Sequence, residues 1–407
     1  MSVVVAHGMP RTLRRERAES LRPAARVWLN WSWVAILAAL GLSLLGVAAI
    51  ATTDPELAPK QLVFLGVGLL AGAVVGAQHW RWMRRAAWVL FALNIALLVF
   101  ILIPGVPESI VRTRNGARRW ISLGVTDIQP SELVKLTWIL AMAAWLRSAP
   151  AVRRFGGVVA AFVITAVPVG LIILQPDLDS AVLFLPTLLV MLAAAGARLR
   201  HLAAVVAIGL VLAPASYPFL YPHQKDRIVA LIKQVSGDER VNQGIGYQSS
   251  RAKTLVGAGG VAGVGAEEAG PLIRFNRLPE AHNDMIFAVI VCRWGFLGGV
   301  LLWLLALAYG FGCLMVALRA GSGFGRLVAV GIGCFVFLQL AVNTAMTIGM
   351  LPVTGMTLPF VSYGGSSLIS LWVATGVLFA VASRRGRGFD GAEAAGSGAT
   401  ARDEREG

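Results

Sequence analysis

The sequence predicts an all-α, polytopic membrane protein with about ten transmembrane helices, both termini cytoplasmic, and a long extracytoplasmic loop between spans seven and eight. Of its 407 residues, 57% are hydrophobic and only 14% are charged. A soluble domain of this length could not bury so much apolar sequence. The apolar residues fall into runs of about 20, the length needed to cross the hydrocarbon core of a bilayer. Basic residues collect in every second connection, as they do in cytoplasmic loops.

The apolar runs define the spans in chain order. They lie near residues 31–51, 62–78, 86–104, 130–147, 157–174, 178–196, 201–220, 284–317, 326–349 and 363–382. Arginine clusters follow the even-numbered spans, for example Arg81, Arg84 and Arg85 after the second. Connections after odd-numbered spans, such as 52–61, generally lack such clusters, which predicts that both termini are cytoplasmic.

A single transmembrane domain, residues 30–385, is predicted between two cytoplasmic segments. Residues 1–29 are polar and rich in arginine, without the pattern of a secretory signal. They are expected to form either a basic helix on the inner leaflet or a disordered segment. Residues 386–407 are rich in Gly, Ala and Ser with mixed charge, which predicts a disordered tail.

The net charge of +15 does not indicate a nucleic-acid partner, because most of it lies in short loops beside apolar spans. The three cysteines, Cys292, Cys313 and Cys334, all fall inside apolar segments. An odd number of thiols gives no disulfide framework and no metal spacing, so they are predicted to be packing residues.

Two outer connections, 105–129 and 221–283, are longer than bare connectors, and loops of such length are usually functional or disordered. The first carries four arginines within residues 112–119, on the side of the membrane where basic residues are unusual. A guanidinium binds phosphate oxygens bidentately, so this run predicts an anionic ligand, with phosphate the natural candidate.

Ionisable residues within or beside spans are the candidates for chemistry, because burying them in a membrane is costly. Glu132 and Lys135, three residues apart, share one helical face and form either a self-neutralising pair or part of a site. Asp177 and Asp179 follow Gln175-Pro176 in a tight outer turn, where a helix cap is the competing interpretation.

Asp284 is the sharpest candidate, since it closes the long outer loop immediately before an apolar run. A partly desolvated carboxylate there would be a suitable general base, whereas the competing interpretation is a helix N-cap. Arg293, nine residues further on, is expected roughly 13 Å deeper in the membrane. At that depth it should pair with a carboxylate, either Glu132 or Asp177.

Span nine carries Gln339, Asn343 and Thr347 at helical spacing, and this polar stripe is explained adequately by hydrogen bonds between helices. The segment 351–367 is a Gly/Pro-rich connection into span ten. Irregular backbone at membrane depth is tolerated only when it is buried in protein or lines a cavity, so this segment is predicted to wall a site.

Six motifs together resemble the SEDS family (shape, elongation, division and sporulation), over about residues 30–385. In order they are Asn115-Gly-Ala-Arg-Arg-Trp-Ile121, Gln129-Pro-Ser-Glu-Leu-Val-Lys135, Gln175-Pro-Asp-Leu178, Gly246-Tyr-Gln248 with Gly257-Ala-Gly-Gly260, Leu278-Pro-Glu-Ala-His-Asn-Asp284, and Pro352-Val-Thr-Gly355 through Ser367. The Pro352 motif is more similar to the RodA branch than to the FtsW branch.

The resemblance implies a peptidoglycan glycosyltransferase of the bacterial plasma membrane that polymerises lipid II on the outer face. It implies a class B penicillin-binding protein as partner, together with other proteins of an elongation or division complex and membrane lipids. The family's key aspartate maps onto Asp284. Family functional positions also map onto Trp120, Glu132, Lys135 and Asp177. The predicted substrate-binding residues are these four together with Arg118, Arg119, Glu280 and His282.

Five positions depart from the family pattern. Asn283 and Met285 stand where Thr and Phe are usual, and Asp179 stands where Gly is frequent. Cys292 and Arg293 replace a common pair of glutamates, which changes the charge expected near the cavity.

The mechanism expected is inverting transfer with Asp284 as base and some of Arg118, Arg119 and Lys135 stabilising the leaving diphosphate. No cofactor is evident, although a divalent cation, Mg²⁺ or Mn²⁺, could assist at the diphosphate. A lipid II flippase is the alternative, because it needs the cavity and the arginines but no base. A structural scaffold explains partners but not the buried charges.

Overall fold

The computed structural model describes residues 30–114, 117–122, 124, 127–147, 150–215, 217–219, 222–236 and 246–383. The predicted terminal segments, 1–29 and 386–407, lie outside the described residues. In the described part the helices run as follows: α1 Ser32–Thr53, α2 Leu57–Ala77, α3 Trp80–Leu102, α4 Pro130–Leu146, α5 Phe155–Leu174, α6 Leu178–Val182, α7 Phe184–Ala194, α8 Leu199–Ala215, α9 Pro222–Val235, α10 Tyr247–Ala258, α11 Gly265–Asn276, α12 Ile286–Arg319, α13 Gly323–Thr347 and α14 Gly365–Ser383.

Within that part of the chain, seven helices are long and apolar enough to cross a membrane: α1, α2, α3, α5, α12, α13 and α14. Shorter apolar helices stand at the other three predicted spans. They are the 17-residue α4, the α6–α7 pair and α8. The all-α membrane class is therefore confirmed, and the count of ten spans stays a prediction.

Close helix packing comes from small residues, as membrane helices require when apolar burial alone does not drive association. Along α2 the buried positions recur every three or four residues and include Gly68, Gly72 and Gly76. A Cβ added at Gly72 would lie 2.6 Å from the carbonyl oxygen of Trp372, on α14. The backbones of α2 and α14 thus approach too closely for any larger side chain here.

The eighth predicted span, 284–317, is one helix by hydrogen bonding but is broken at Gly295, where φ is 69° and ψ is −164°. The break is closed by the segment between α10 and α11. Phe296 N donates to Gly260 O at 2.8 Å and Leu297 N donates to Val261 O at 3.1 Å. The backbone groups released by the break are therefore satisfied inside the protein, as a membrane setting demands.

Both long outer connections contain structure that the sequence did not predict. Residues 105–129 include a three-stranded antiparallel sheet, β1 Val111–Arg114, β2 Ala117–Ser122 and β3 Asp127–Ile128, in the order β1-β2-β3. The longer connection carries the helices α9, α10 and α11. The all-α prediction missed the sheet, whose strands are short and carry arginines rather than an alternating apolar face.

Candidate active site

A cavity of about 1260 Å³ opens at the end of the bundle where α1 ends and α4, α12 and α14 begin. The arginine pattern predicts that this end faces outside the cell. Predicted site residues in its lining are Arg119, Trp120, Glu132, Lys135, Asp177, Glu280, His282 and Asp284. Segments far apart in sequence therefore meet at one cavity.

One side of the cavity, here called the base wall, consists of residues 278–284 and 354–367. Asp284 is 6% exposed and lines the cavity. The N-cap of α12 is Met285, with no side-chain capping hydrogen bond, so the interpretation of Asp284 as a helix cap is wrong. Its carboxylate is instead part of the cavity lining, where it could accept a proton from a substrate.

Three consecutive carbonyl groups of the base wall are held by neighbouring elements. The carbonyl oxygen of His282 accepts from Tyr363 N at 2.9 Å, and that of Asn283 accepts from Ser362 Oγ at 2.6 Å. The carbonyl oxygen of Asp284 accepts from Asn343 Nδ2 at 2.7 Å. Asp284 is thus positioned through its backbone.

Gln61 of α2 also holds the base wall in place, and the sequence analysis did not identify it. Its side chain is fully buried, donates to Ser362 O at 3.0 Å and accepts from Gly364 N at 3.3 Å. The only signal in the sequence was a glutamine immediately before the apolar run 62–78. The polar stripe on α13 also acts on this wall, because Gln339 Nε2 donates to Thr357 O at 3.0 Å.

Asp179 faces Asp284 across Gly355. A Cβ added at Gly355, whose φ is +93°, would lie 3.1 Å from Asp179 Oδ2 and 3.9 Å from Asp284 Oδ2. A side chain there would be strained and would crowd both carboxylates, so glycine fits both the conformation and the space. This chain therefore has a second carboxylate near the predicted base.

The rest of the charged lining, here called the cation wall, consists of residues 112–135 and 176–183. Lys135 Nζ donates to Glu132 Oε1 at 2.5 Å, and both side chains are 9% exposed. Lys135 also lies 5.5 Å from the ring of Phe335, a cation–π contact. The sequence left open whether Glu132 and Lys135 form a self-neutralising pair or part of a site. Both descriptions apply, because the two charges neutralise each other and the pair also lines the cavity.

Asp177 and Arg119 form the second charged group of the cation wall. Asp177 Oδ1 accepts from Ser180 N at 3.3 Å and so caps α6, and Asp177 Oδ2 accepts from Ser131 Oγ at 3.0 Å. Arg119 Nη1 lies 3.8 Å from Asp177 Oδ1, and its guanidinium donates to the carbonyls of Gln175 and Pro176. Asp177 is therefore both a cap and the carboxylate partner of a lining arginine.

Arg118 is the predicted site residue that the structure does not bring to the cavity. Its guanidinium donates to Val106 O at 2.7 Å and Ile103 O at 3.4 Å, at the end of α3. These carbonyls follow the last helical turn and lack helical partners, which explains why an arginine satisfies them. From the same run Arg112 does line the cavity and lies 3.4 Å from Asp127.

Arg293 lies elsewhere than expected, and its predicted carboxylate partner is wrong. Its guanidinium donates to Ala48 O at 2.9 Å and Thr52 Oγ1 at 2.5 Å, and stacks 4.4 Å from the ring of Trp294. Thr52 belongs to the outer end of α1, so Arg293 is not deep in the membrane. Arg293 lies just before the break at Gly295, so the stretch from Asp284 to Arg293 is a short helical piece that ends at a kink and not the start of one straight span.

The lining contains six carboxylates and three cations. The carboxylates are Asp127, Glu132, Asp177, Asp179, Glu280 and Asp284, and the cations are Arg112, Arg119 and Lys135. All three cations lie on the cation wall. The lining cations are thus confined to one wall, together with four of the six carboxylates, and the predicted base lies on the other wall.

A helical membrane bundle with such a cavity at its outer end defines a polytopic membrane protein whose site can act on a polar group presented from the bilayer. The chain belongs to the SEDS family: residues 25–386 match the family model described as cell cycle protein, which groups FtsW, RodA and SpoVE. It is a multi-pass protein of the bacterial inner membrane.

Two relatives illustrate the match. Stage V sporulation protein E of Bacillus subtilis (strain 168) is 36% identical over 329 residues, which cover 80% of this chain and 86% of that protein. The probable peptidoglycan glycosyltransferase FtsW of Nitrosococcus halophilus (strain Nc4) is 32% identical over 378 residues, 90% of this chain and 94% of that protein.

Two solved structures share the fold. A chain of a peptidoglycan synthase complex that coordinates polymerization and crosslinking is 30% identical, with a TM-score of 0.73 over 86% of this chain and 96% of that chain. Rod shape determining protein RodA of Thermus thermophilus is 28% identical, with a TM-score of 0.64 over 87% and 97%. The greater similarity to RodA than to FtsW stays a prediction.

Proposed function

We propose that this chain is a peptidoglycan glycosyltransferase that polymerises lipid II on the outer face of the plasma membrane. The observation that carries the proposal is that Asp284 lines the same cavity as Arg119 and Lys135. Glycosyl transfer from a lipid diphosphate needs a base for the nucleophile and positive charge for the leaving group. The FtsW relatives are named for this activity.

The proposed reaction is an inverting transfer. The 4-hydroxyl oxygen of the acceptor sugar attacks the anomeric carbon of the donor while Asp284 accepts the hydroxyl proton. The bond between that carbon and the phosphate oxygen breaks, and its electron pair leaves with the lipid diphosphate. The products are a longer glycan and the free lipid diphosphate.

Charge on the leaving diphosphate is stabilised by Arg119 and Lys135 in this proposal, in a preorganised electrostatic role. Both cations are already fixed by protein partners, so little reorganisation is needed when the substrate arrives. Arg118 is left out of this step, because its guanidinium is engaged at Ile103 and Val106. Grooves between membrane helices would admit the polyprenyl tails.

Among the described residues, no group of three or more His, Cys, Asp or Glu side chains could hold a metal ion. Assistance from Mg²⁺ or Mn²⁺ at the diphosphate stays a prediction.

A class B penicillin-binding protein is the proposed partner, because the most similar structure above comes from a complex that couples polymerization to crosslinking. That transpeptidase would crosslink the glycan as it forms. Other elongation or division proteins and membrane lipids remain predicted contacts.

The deciding experiment uses the full-length chain with a co-expressed class B transpeptidase, reconstituted with lipid II. We expect glycan polymer from the parent and a loss of about 10²–10⁴-fold in rate for Asp284→Asn, with the same melting temperature. Glu267→Gln, an exposed carboxylate in the first turn of α11 and outside the cavity lining, is the matched control. Polymer formed at the parental rate by Asp284→Asn would refute the base assignment, and lipid II translocation without polymer would favour the flippase.

A further inference from the structure

We infer that Asn343 is a positioning residue for Asp284, an inference that rests on the proposed role of Asp284 as base. Asn343 belongs to the polar stripe of α13, which the sequence analysis attributed to hydrogen bonds between helices. Its side chain is fully buried. Its amide joins the chain segment that carries the base to the irregular segment that walls the cavity.

The geometry requires an amide donor at this position. Asn343 Nδ2 donates to Asp284 O at 2.7 Å and to Met356 O at 2.6 Å. Because both partners are carbonyl oxygens, which can only accept, the side chain must present its NH₂ group to them. One nitrogen thus uses its two hydrogens to fix two backbone segments that are far apart in sequence.

Asn343 completes a set of three contacts along the base wall. Tyr363 N and Ser362 Oγ hold the two preceding carbonyls, of His282 and Asn283, and both donors belong to the wall segment itself. Asn343 alone among these three donors comes from a transmembrane helix. It therefore sets the position of Asp284, and of the wall at Met356, relative to the membrane bundle.

The inferred positioning role of Asn343 is not shared by Thr347, its neighbour one turn along the helix. Thr347 is also fully buried, but its hydroxyl donates at 2.9 Å to Asn343 O, a carbonyl of its own helix. Removing that hydroxyl takes away one buried hydrogen bond from the stripe and leaves both contacts of the Asn343 amide in place. Thr347→Val is therefore the matched control.

The test compares Asn343→Leu with Thr347→Val in the full-length chain with its transpeptidase, using lipid II and normalising rates to titrated lipid II binding sites. We expect Asn343→Leu to lower kcat about 10²-fold, the cost of roughly 1 Å of misplacement, with KM within about threefold of the parent. Thr347→Val should keep the parental kcat. Asn343→Gln, which retains an NH₂ group, should recover part of the loss.

Where the leucine variant does not fold, Asn343→Ser carries the test, because its short side chain cannot bridge both carbonyls, and we expect an intermediate loss in kcat. A parental kcat in the folded leucine or serine variant overturns the inference. So does a rise in KM at unchanged kcat, which would place Asn343 in substrate binding. A parent that makes no polymer, by contrast, would contradict the proposed function itself.

Discussion

The two walls of the cavity hold their functional groups in opposite ways. On the base wall, the bonds that position Asp284 run through backbone carbonyls, which are held by Asn343, Ser362 and Tyr363. On the cation wall, the charged side chains themselves are bonded, Lys135 to Glu132 and Arg119 to Asp177 and two carbonyls.

This difference fits two different tasks. A base must change its protonation state, and contacts to its backbone position it through bonds that do not depend on that state. A cation that stabilises a leaving group must stay charged and stay in place, so a built-in carboxylate partner suits it. Substitutions on the base wall should therefore act on turnover, and those on the cation wall on stability and on departure of the leaving group.

Breaking the buried pair of the cation wall should have the largest effect. Lys135→Met leaves the buried Glu132 carboxylate uncompensated, and removal of one partner from a buried pair costs about 3–5 kcal/mol. We expect a clear fall in the melting temperature of the purified protein. The double variant Glu132→Gln with Lys135→Met should recover much of it, because no lone charge remains. A double variant as unstable as the single one would show that the pairing is not what stabilises this wall.

Lengthening the base by one methylene should have the next largest effect. In Asp284→Glu the backbone stays held by Asn343, so the carboxylate is displaced by roughly 1 Å and kcat should fall about 10²-fold. Lipid II binding should change little, because the charge is kept. Single-turnover measurements separate the two quantities. A variant with weaker lipid II binding and parental turnover would mean that Asp284 binds substrate rather than activates it.

Much of the fold followed from the sequence because apolar run length and arginine placement are strong signals in membranes. The helices lie where the spans were predicted, within a few residues at most ends. The course of α12 was not predicted. A helix that breaks at Gly295 can keep an uninterrupted apolar run, so its sequence is the same as that of a straight span. Only Gly295 and the glycines of 257–263 hinted at it, and the prediction for Arg293 failed with it.

The site was predictable where a residue type is costly in a membrane, as for Glu132, Lys135 and Asp284. The role of Asn343 was not, because a buried amide is explained equally well by any interhelical bond. The opposed placement of Asp179 and Asp284 depends on the fold bringing α6 to Gly355, which no local pattern encodes. Likewise, the sequence could not show which of the four arginines in residues 112–119 would line the cavity.

A substitution of Arg119, on the cation wall, should have a moderate effect on catalysis. Arg119→Lys keeps the charge but cannot reproduce a guanidinium that contacts Gln175 O, Pro176 O and Asp177 together. We expect kcat/KM for lipid II to fall about tenfold, which is roughly 1.4 kcal/mol, mainly through kcat, because Arg119 acts on the charge that grows as the diphosphate leaves. Steady-state kinetics with the partner present measure both constants. A rise in KM at parental kcat would mean that Arg119 binds the ground-state substrate and does not stabilise the leaving group.

The neighbouring Arg118 provides the sharpest comparison and the smallest expected effect on catalysis. Its guanidinium caps carbonyls at the end of α3 and does not line the cavity, although only one peptide bond separates it from Arg119. Arg118→Lys should therefore leave KM and kcat within about twofold of the parent, because only a net contribution of about 0.5–1.5 kcal/mol per hydrogen bond to stability is at risk. Melting temperature should fall slightly while lipid II titration stays unchanged. Equal losses in kcat/KM from Arg118→Lys and Arg119→Lys would mean that the whole arginine run reaches the substrate, and the separation between a structural and a substrate-facing arginine would be lost.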